Sequence, residues 1–163
     1  MEKTDLNGCV NVYKELLKEG DVQIAYAGLV KYVQRLRTEF SKDVGDKYSV
    51  GNVLQGYMDY TYFYLSNDYL KSRKLKFGLV LNHAEANFEL WLLGRTRSVQ
   101  ERYWELLKNS KWVKAAEMPK YSVFGVTLVD RPNFNNLYQL TDELKNTYLS
   151  VTKDILATLK NTA

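Results

Sequence analysis

At 163 residues, with 45% hydrophobic and 26% charged side chains, the chain has the make-up of one globular domain with its own core, which excludes general disorder. Its formal net charge of +4 is concentrated: residues 71–114 carry 10 basic and 4 acidic side chains, against 8 and 10 in residues 1–70 and 5 and 5 in residues 115–163. One cysteine (Cys9) and one histidine (His83) exclude an intrachain disulfide and Cys/His zinc clusters, and favour a reducing, cytoplasmic setting. The N-terminus MEKTDLNGCV lacks the apolar region of a secretory signal, and runs such as Leu90–Leu93 are too short for a bilayer, so no membrane association is expected.

Residues 9–19 predict a short helix ended by Gly20, with Asp21 as the cap of a long second helix. There Val22, Tyr26, Leu29, Val33, Leu36 and Phe40 recur at steps of four and three and form one stripe. A polar loop, Ser41–Asp46, leads to "GYMDYTYFYLSNDY", residues 56–69, dense in tyrosine. Aromatic and β-branched residues suit a pleated surface, so a strand is predicted. One face would carry Met58, Tyr60, Tyr62 and Tyr64, and the other Tyr57, Asp59, Thr61, Phe63 and Leu65. Ser66–Asn67–Asp68 reads as the start of a helix of one or two turns.

"KLKFGLVLNHAEANFELWLLG" predicts a hairpin. Leu75, Phe77, Leu79 and Leu81 alternate with Lys76, Gly78, Val80 and Asn82, and Phe88, Leu90 and Leu92 alternate with Glu89, Trp91 and Leu93. A four-residue loop, residues 83–86, pairs Asn82 with Asn87, Leu79 with Leu90 and Gly78 with Trp91, which puts both apolar rows on one side. Ser98–Glu101 has the pattern of a capping box, opening a helix that buries Val99, Tyr103, Leu106 and Leu107. After Pro119 a strand follows in "YSVFGVTLV". After Pro132 comes a last helix with Leu140, Leu144, Tyr148, Val151, Ile155 and Leu159 on one face. The expected fold is a single α+β domain over residues 1–163. An antiparallel or mixed sheet of about four strands carries N- and C-terminal helices packed on it.

The segments "GYMDYTYF", "LKFGLVLNH" and "FELWLLG", with "VQ..YW" after them, resemble a family of bacterial domains of unknown function, over roughly residues 30–110. The resemblance implies a bacterial, cytoplasmic, single-domain protein. It carries over no catalytic or binding residue.

Candidate chemistry therefore rests on the residues themselves. If the tyrosine row joins the Leu79/Leu90 side, the other face aligns Asp59, Thr61, Lys76, Glu89 and Trp91 as the floor of a small-molecule site, or simply as an exposed sheet face. Asp59 and Glu89 also form a candidate carboxylate pair, with His83 as a candidate proton shuttle. A metal nuclease would place a lysine two residues after the acid, where this chain has Trp91. Arg95, Arg97 and Arg102 gather before and within a predicted helix start and form a candidate anion site, although Glu101 can pair with Arg97. No catalytic residue, cofactor or metal is assigned. The leading expectation is a small-molecule or protein partner bound through the aromatic-rich sheet and the adjacent Arg95–Arg102 region. The alternatives are nucleic-acid association, which is less favoured, and a carboxylate enzyme.

Overall fold

The Asp5 carboxylate accepts a hydrogen bond from the Gly8 amide (2.9 Å) and starts α1 (Leu6–Leu17). In the computed structural model of the protein, residues 5–162 are described and fall into two compact units, divided after Tyr32 within α2 (Asp21–Val44). In the first unit Gly20 takes φ +82°, which glycine adopts without strain, and turns the chain from α1 into α2. Gln23 Nε2 ties the two helices by donating to the Leu17 carbonyl at 2.8 Å. α1 buries none of its residues and leaves Leu6, Val10, Val12, Tyr13 and Leu16 exposed.

The second unit is built on a sheet in which every pairing is antiparallel, so the fold is α+β. β1 (Ser49–Val50), β3 (Tyr60–Ser66), β4 (Leu75–Asn82), β5 (Asn87–Gly94) and β6 (Phe124–Val129) follow in that order across it, and β2 (Leu54–Gln55) also pairs with β3. β1 and β2 have two residues each, too few to leave a periodic signal in the sequence. The β4–β5 hairpin has the predicted register, with Leu81 opposite Phe88, Leu79 opposite Leu90 and Gly78 opposite Trp91. Its turn is held by the Asn82 side chain, whose oxygen accepts from the amides of Ala84 (3.1 Å) and Glu85 (3.3 Å).

One face of this sheet is the core. Phe63, Leu65, Phe77, Leu79, Leu81, Phe88, Leu90 and Leu92 are all fully buried there. Each such side chain contributes about 1.5–3 kcal/mol of transfer free energy. The later turns of α2 lay Val33, Leu36 and Phe40 on the core, as their spacing predicts, and the helix runs on through Val44, which is buried too, where a polar loop from Ser41 was expected. The Phe40 ring meets Phe63 edge-on at 5.8 Å and Tyr148 at 5.3 Å. Tyr148 belongs to α5 (Leu137–Thr162), which buries Leu140, Leu144, Ile155 and Leu159 on the same stripe.

Two further expectations change. Thr61, Phe63 and Leu65 pair with Leu81, Leu79 and Phe77, so β3 turns this row to the core, and Tyr60, Tyr62 and Tyr64 to the opposite face. Phe63 and Leu65 have no polar atom to satisfy, whereas each tyrosine hydroxyl needs a partner or water, so burying the hydrocarbon row costs less. Likewise α4 (Arg97–Leu107) is capped by Thr96, whose hydroxyl accepts from Val99 N at 3.3 Å, and not by Ser98. α4 buries Gln100, Tyr103 and Leu107 and leaves Leu106 exposed. Gln100 Nε2 donates to the carbonyls of Pro119 (3.0 Å) and Ser122 (2.9 Å), anchoring the segment that enters β6. α3 (Asp68–Ser72) starts at Asn67 as expected, its side chain accepting from Leu70 N.

Candidate functional site

On the face away from the core, strand alternation sets out a grid. Tyr62 pairs with Val80, Val80 with Glu89 and Glu89 with Thr127. In the next row Tyr64 pairs with Gly78, Gly78 with Trp91 and Trp91 with Gly125. The only side chains in that second row are thus two aromatic ones. Gly125 leaves room for the indole, and Gly78 for the Leu93 side chain. A Cβ at Gly125 would lie 2.9 Å from Trp91 Cδ1, and one at Gly78 would lie 3.1 Å from Leu93 Cδ1. The indole therefore lies beside bare backbone on either side.

A chain of hydrogen bonds orients that indole. Trp91 Nε1 donates to Glu89 Oε1 at 2.9 Å, and Asn82 Nδ2 donates to Glu89 Oε2 at 2.9 Å. Asn82 is itself fixed by the β4–β5 turn. Trp91 then meets Tyr60 at 4.9 Å between ring centroids and 72° between planes. Tyr60, Tyr62, Tyr64, Trp91 and Tyr121 line a cleft of about 290 Å³, with Val80 and Leu93 as its buried floor and Gly56 and Asp59 at its edge. A second depression of about 340 Å³ is lined by Trp91, Glu89 and Gly125 together with Trp104, Trp112 and Phe124.

Asp59 belongs to the turn between β2 and β3, where Met58 takes φ +64°. Its Oδ1 accepts from Tyr60 N at 2.7 Å, and its carbonyl accepts from His83 N at 2.9 Å. The Tyr60 hydroxyl has its pKa raised, first by burial and then by the negative charges of Glu89 and Asp59 and by Tyr121. Burial, with Tyr62 beside it, pushes Tyr64 up to about 12. Lys76 Nζ lies 3.6 Å from the centre of the Tyr64 ring, a cation–π contact, and burial together with Arg95 lowers the Lys76 pKa.

Of the residues singled out in the sequence, Asp59, Lys76, Glu89 and Trp91 share the aromatic face or its edge. Thr61 does not: it is buried on the core side, with its hydroxyl 2.7 Å from His83 Nε2. Burial lowers the His83 pKa, partly offset by Asp59. Both Glu89 oxygens are occupied by neutral donors, so this carboxylate holds the indole in place. The arginines are dispersed in role. Arg97 is the first residue of α4 and pairs with Glu101 at 3.0 Å, Arg102 lies over the Tyr103 ring, and Arg95 lines a separate depression with Lys76. Among the described residues no three His, Cys, Asp or Glu side chains are placed to hold a metal, and no helix is long and apolar enough to cross a membrane.

The sequence reading missed the three tyrosines of β3 and Tyr121 as lining residues. The signal for the first three was present: one row of β3 has three phenolic hydroxyls to satisfy, and the other has a single threonine. Tyr121 arrives from the segment before β6, and no local pattern marks it. Residues 6–159 match the model of a domain of unknown function (DUF7000), and the chain belongs to that family. No curated protein and no solved structure matches the chain.

Proposed function

We propose that this member of the DUF7000 family is a ligand-binding domain whose site is the aromatic cleft on the open face of the sheet. One observation carries the reading: five aromatic rings line a single concavity of about 290 Å³, and the indole among them is fixed by a hydrogen-bond chain reaching back to a turn. Rings held in place before a ligand arrives do not have to be ordered on binding, which is the main cost that preorganisation removes. An apolar floor with a few convergent polar groups is the usual make-up of a small-molecule site, and this volume lies near the lower end of the usual range of about 300–1,000 Å³. The site residues in this reading are Asp59, Tyr60, Tyr62, Tyr64, Trp91 and Tyr121, with Glu89 holding the indole and Lys76 set on the Tyr64 ring.

The test is a titration of the isotope-labelled chain with mixed small molecules, followed by amide chemical shifts. Shifts confined to β3, β4, β5 and residues near Tyr121, abolished by Trp91→Ala, are expected. A panel of several hundred compounds that moves none of these amides would overturn the reading. The nucleic-acid alternative draws on Lys76 and Arg95 beside the tyrosines; it requires affinity for oligonucleotides that falls steeply with added salt. The pairing of Arg97 with Glu101 removes part of the charge that this alternative needs.

A further inference from the structure

We infer that the cleft takes an organic cation, a quaternary ammonium group on a small molecule, seated in the corner between the Tyr60 and Trp91 rings. This inference rests on the reading of the cleft as a ligand site and names the class of ligand.

Three observations converge on it. The first is shape: two rings 4.9 Å apart and 72° from coplanar form adjoining walls. Ring faces carry the negative part of the aromatic quadrupole, so a cation in such a corner is attracted by both. The second is charge. Asp59 lines the edge of the cleft and Glu89 holds the indole N–H from behind it, and among the described residues neither forms a salt bridge with a lysine or arginine. The corner thus has one carboxylate at its edge and one on its indole, neither with a countercharge of its own. The third is precedent within the same face: Lys76 already places its ammonium 3.6 Å from the Tyr64 ring centre. Tyr64 lies four residues along the strand from Tyr60, roughly 13 Å away, so that lysine occupies the far end of the row.

The hydrogen bonding narrows the class. Glu89 has given both oxygens to Trp91 and Asn82, and Asp59 Oδ1 receives the Tyr60 amide. These carboxylates supply negative potential from the edge, while the floor of the cleft, Val80 and Leu93, has no side-chain acceptor. A primary ammonium loses hydration and needs several acceptors in return. A quaternary ammonium has no N–H to satisfy and responds to potential and to ring faces alone. Anions are disfavoured by the same two charges.

Calorimetry of the full chain with tetramethylammonium, choline and the neutral isostere of choline, 3,3-dimethylbutan-1-ol, tests this, with indole and benzyl alcohol as neutral aromatic probes. Choline is expected to bind at least about tenfold more tightly than its isostere, the factor that 1.4 kcal/mol of cation–π and charge attraction provides. Asp59→Asn, on an exposed turn, keeps the acceptor that holds Tyr60 N. It is expected to weaken choline several-fold and its neutral isostere far less, so that the ratio of their affinities falls, with the melting temperature as the check on folding. Equal affinity for choline and its isostere, or binding of neutral probes alone, overturns the cation assignment and leaves the ligand site standing. A chain that binds none of these compounds, and whose cleft amides stay still in the broader panel, loses both.

Discussion

The two faces of the sheet use the same strands and the same number of positions, yet they do different work. On the core face, residues such as Phe63, Leu79 and Leu90 are hydrocarbon and fully buried. On the other, Tyr60, Tyr62, Tyr64 and Trp91 are half-exposed; Glu89 aims the indole N–H, and the Tyr62 and Tyr64 hydroxyls hydrogen-bond to each other. The first face gains its free energy by leaving water completely. The second retains apolar area that remains accessible to something else.

The sharpest way to break the comparison is to truncate one ring on each side of β3. Phe63→Ala is expected to cost about 3–5 kcal/mol in urea unfolding, because it opens a cavity in a packed core. Tyr62→Ala, one residue away, is expected to cost about 1 kcal/mol. Equal costs would mean that both faces are structural. Gly125→Val comes next. Its new Cβ meets Trp91 within 3 Å, so the indole must swing away from Glu89. About 1–3 kcal/mol of stability and most ligand affinity are expected to go, read by urea unfolding and calorimetry. Retained affinity would show that the orientation of Trp91 does not matter.

The smallest effect is pH-dependent. Burial holds the His83 pKa below its ordinary 6.5, so on acidification the unfolded chain takes up this proton before the folded one. The stability that follows from keeping His83 neutral is intact above 6.5 and is lost as pH falls through the folded value. His83→Gln is expected to flatten the fall in melting temperature between neutral pH and about pH 5 relative to the parent chain. Parallel melting profiles would place His83 in an environment no different from water.

The β4–β5 hairpin was legible to the residue because two apolar rows and a short loop admit only one register. Trp91, Glu89 and Gly78 followed from it. The orientation of β3 was not legible from alternation, because both of its rows are amphipathic enough to face a core; the hydroxyls decide, through what each would cost to bury. Thr96 and Ser98 are equally good caps two residues apart. Choosing the later one left Arg97 outside the helix, whereas it is the first residue of α4; its pairing with Glu101 was already suggested by their spacing of four. Tyr121 and the two-residue strands β1 and β2 are placed by tertiary contacts, and nothing within their own neighbourhoods encodes them.

All three tryptophans of the chain, Trp91, Trp104 and Trp112, line the one depression that shares Trp91 with the tyrosine cleft. The protein's ultraviolet emission therefore originates almost wholly beside its candidate site, with no indole elsewhere to dilute it. An occupant that touched Trp91 would dim or shift that glow directly, so the unlabelled chain is its own optical gauge of occupancy.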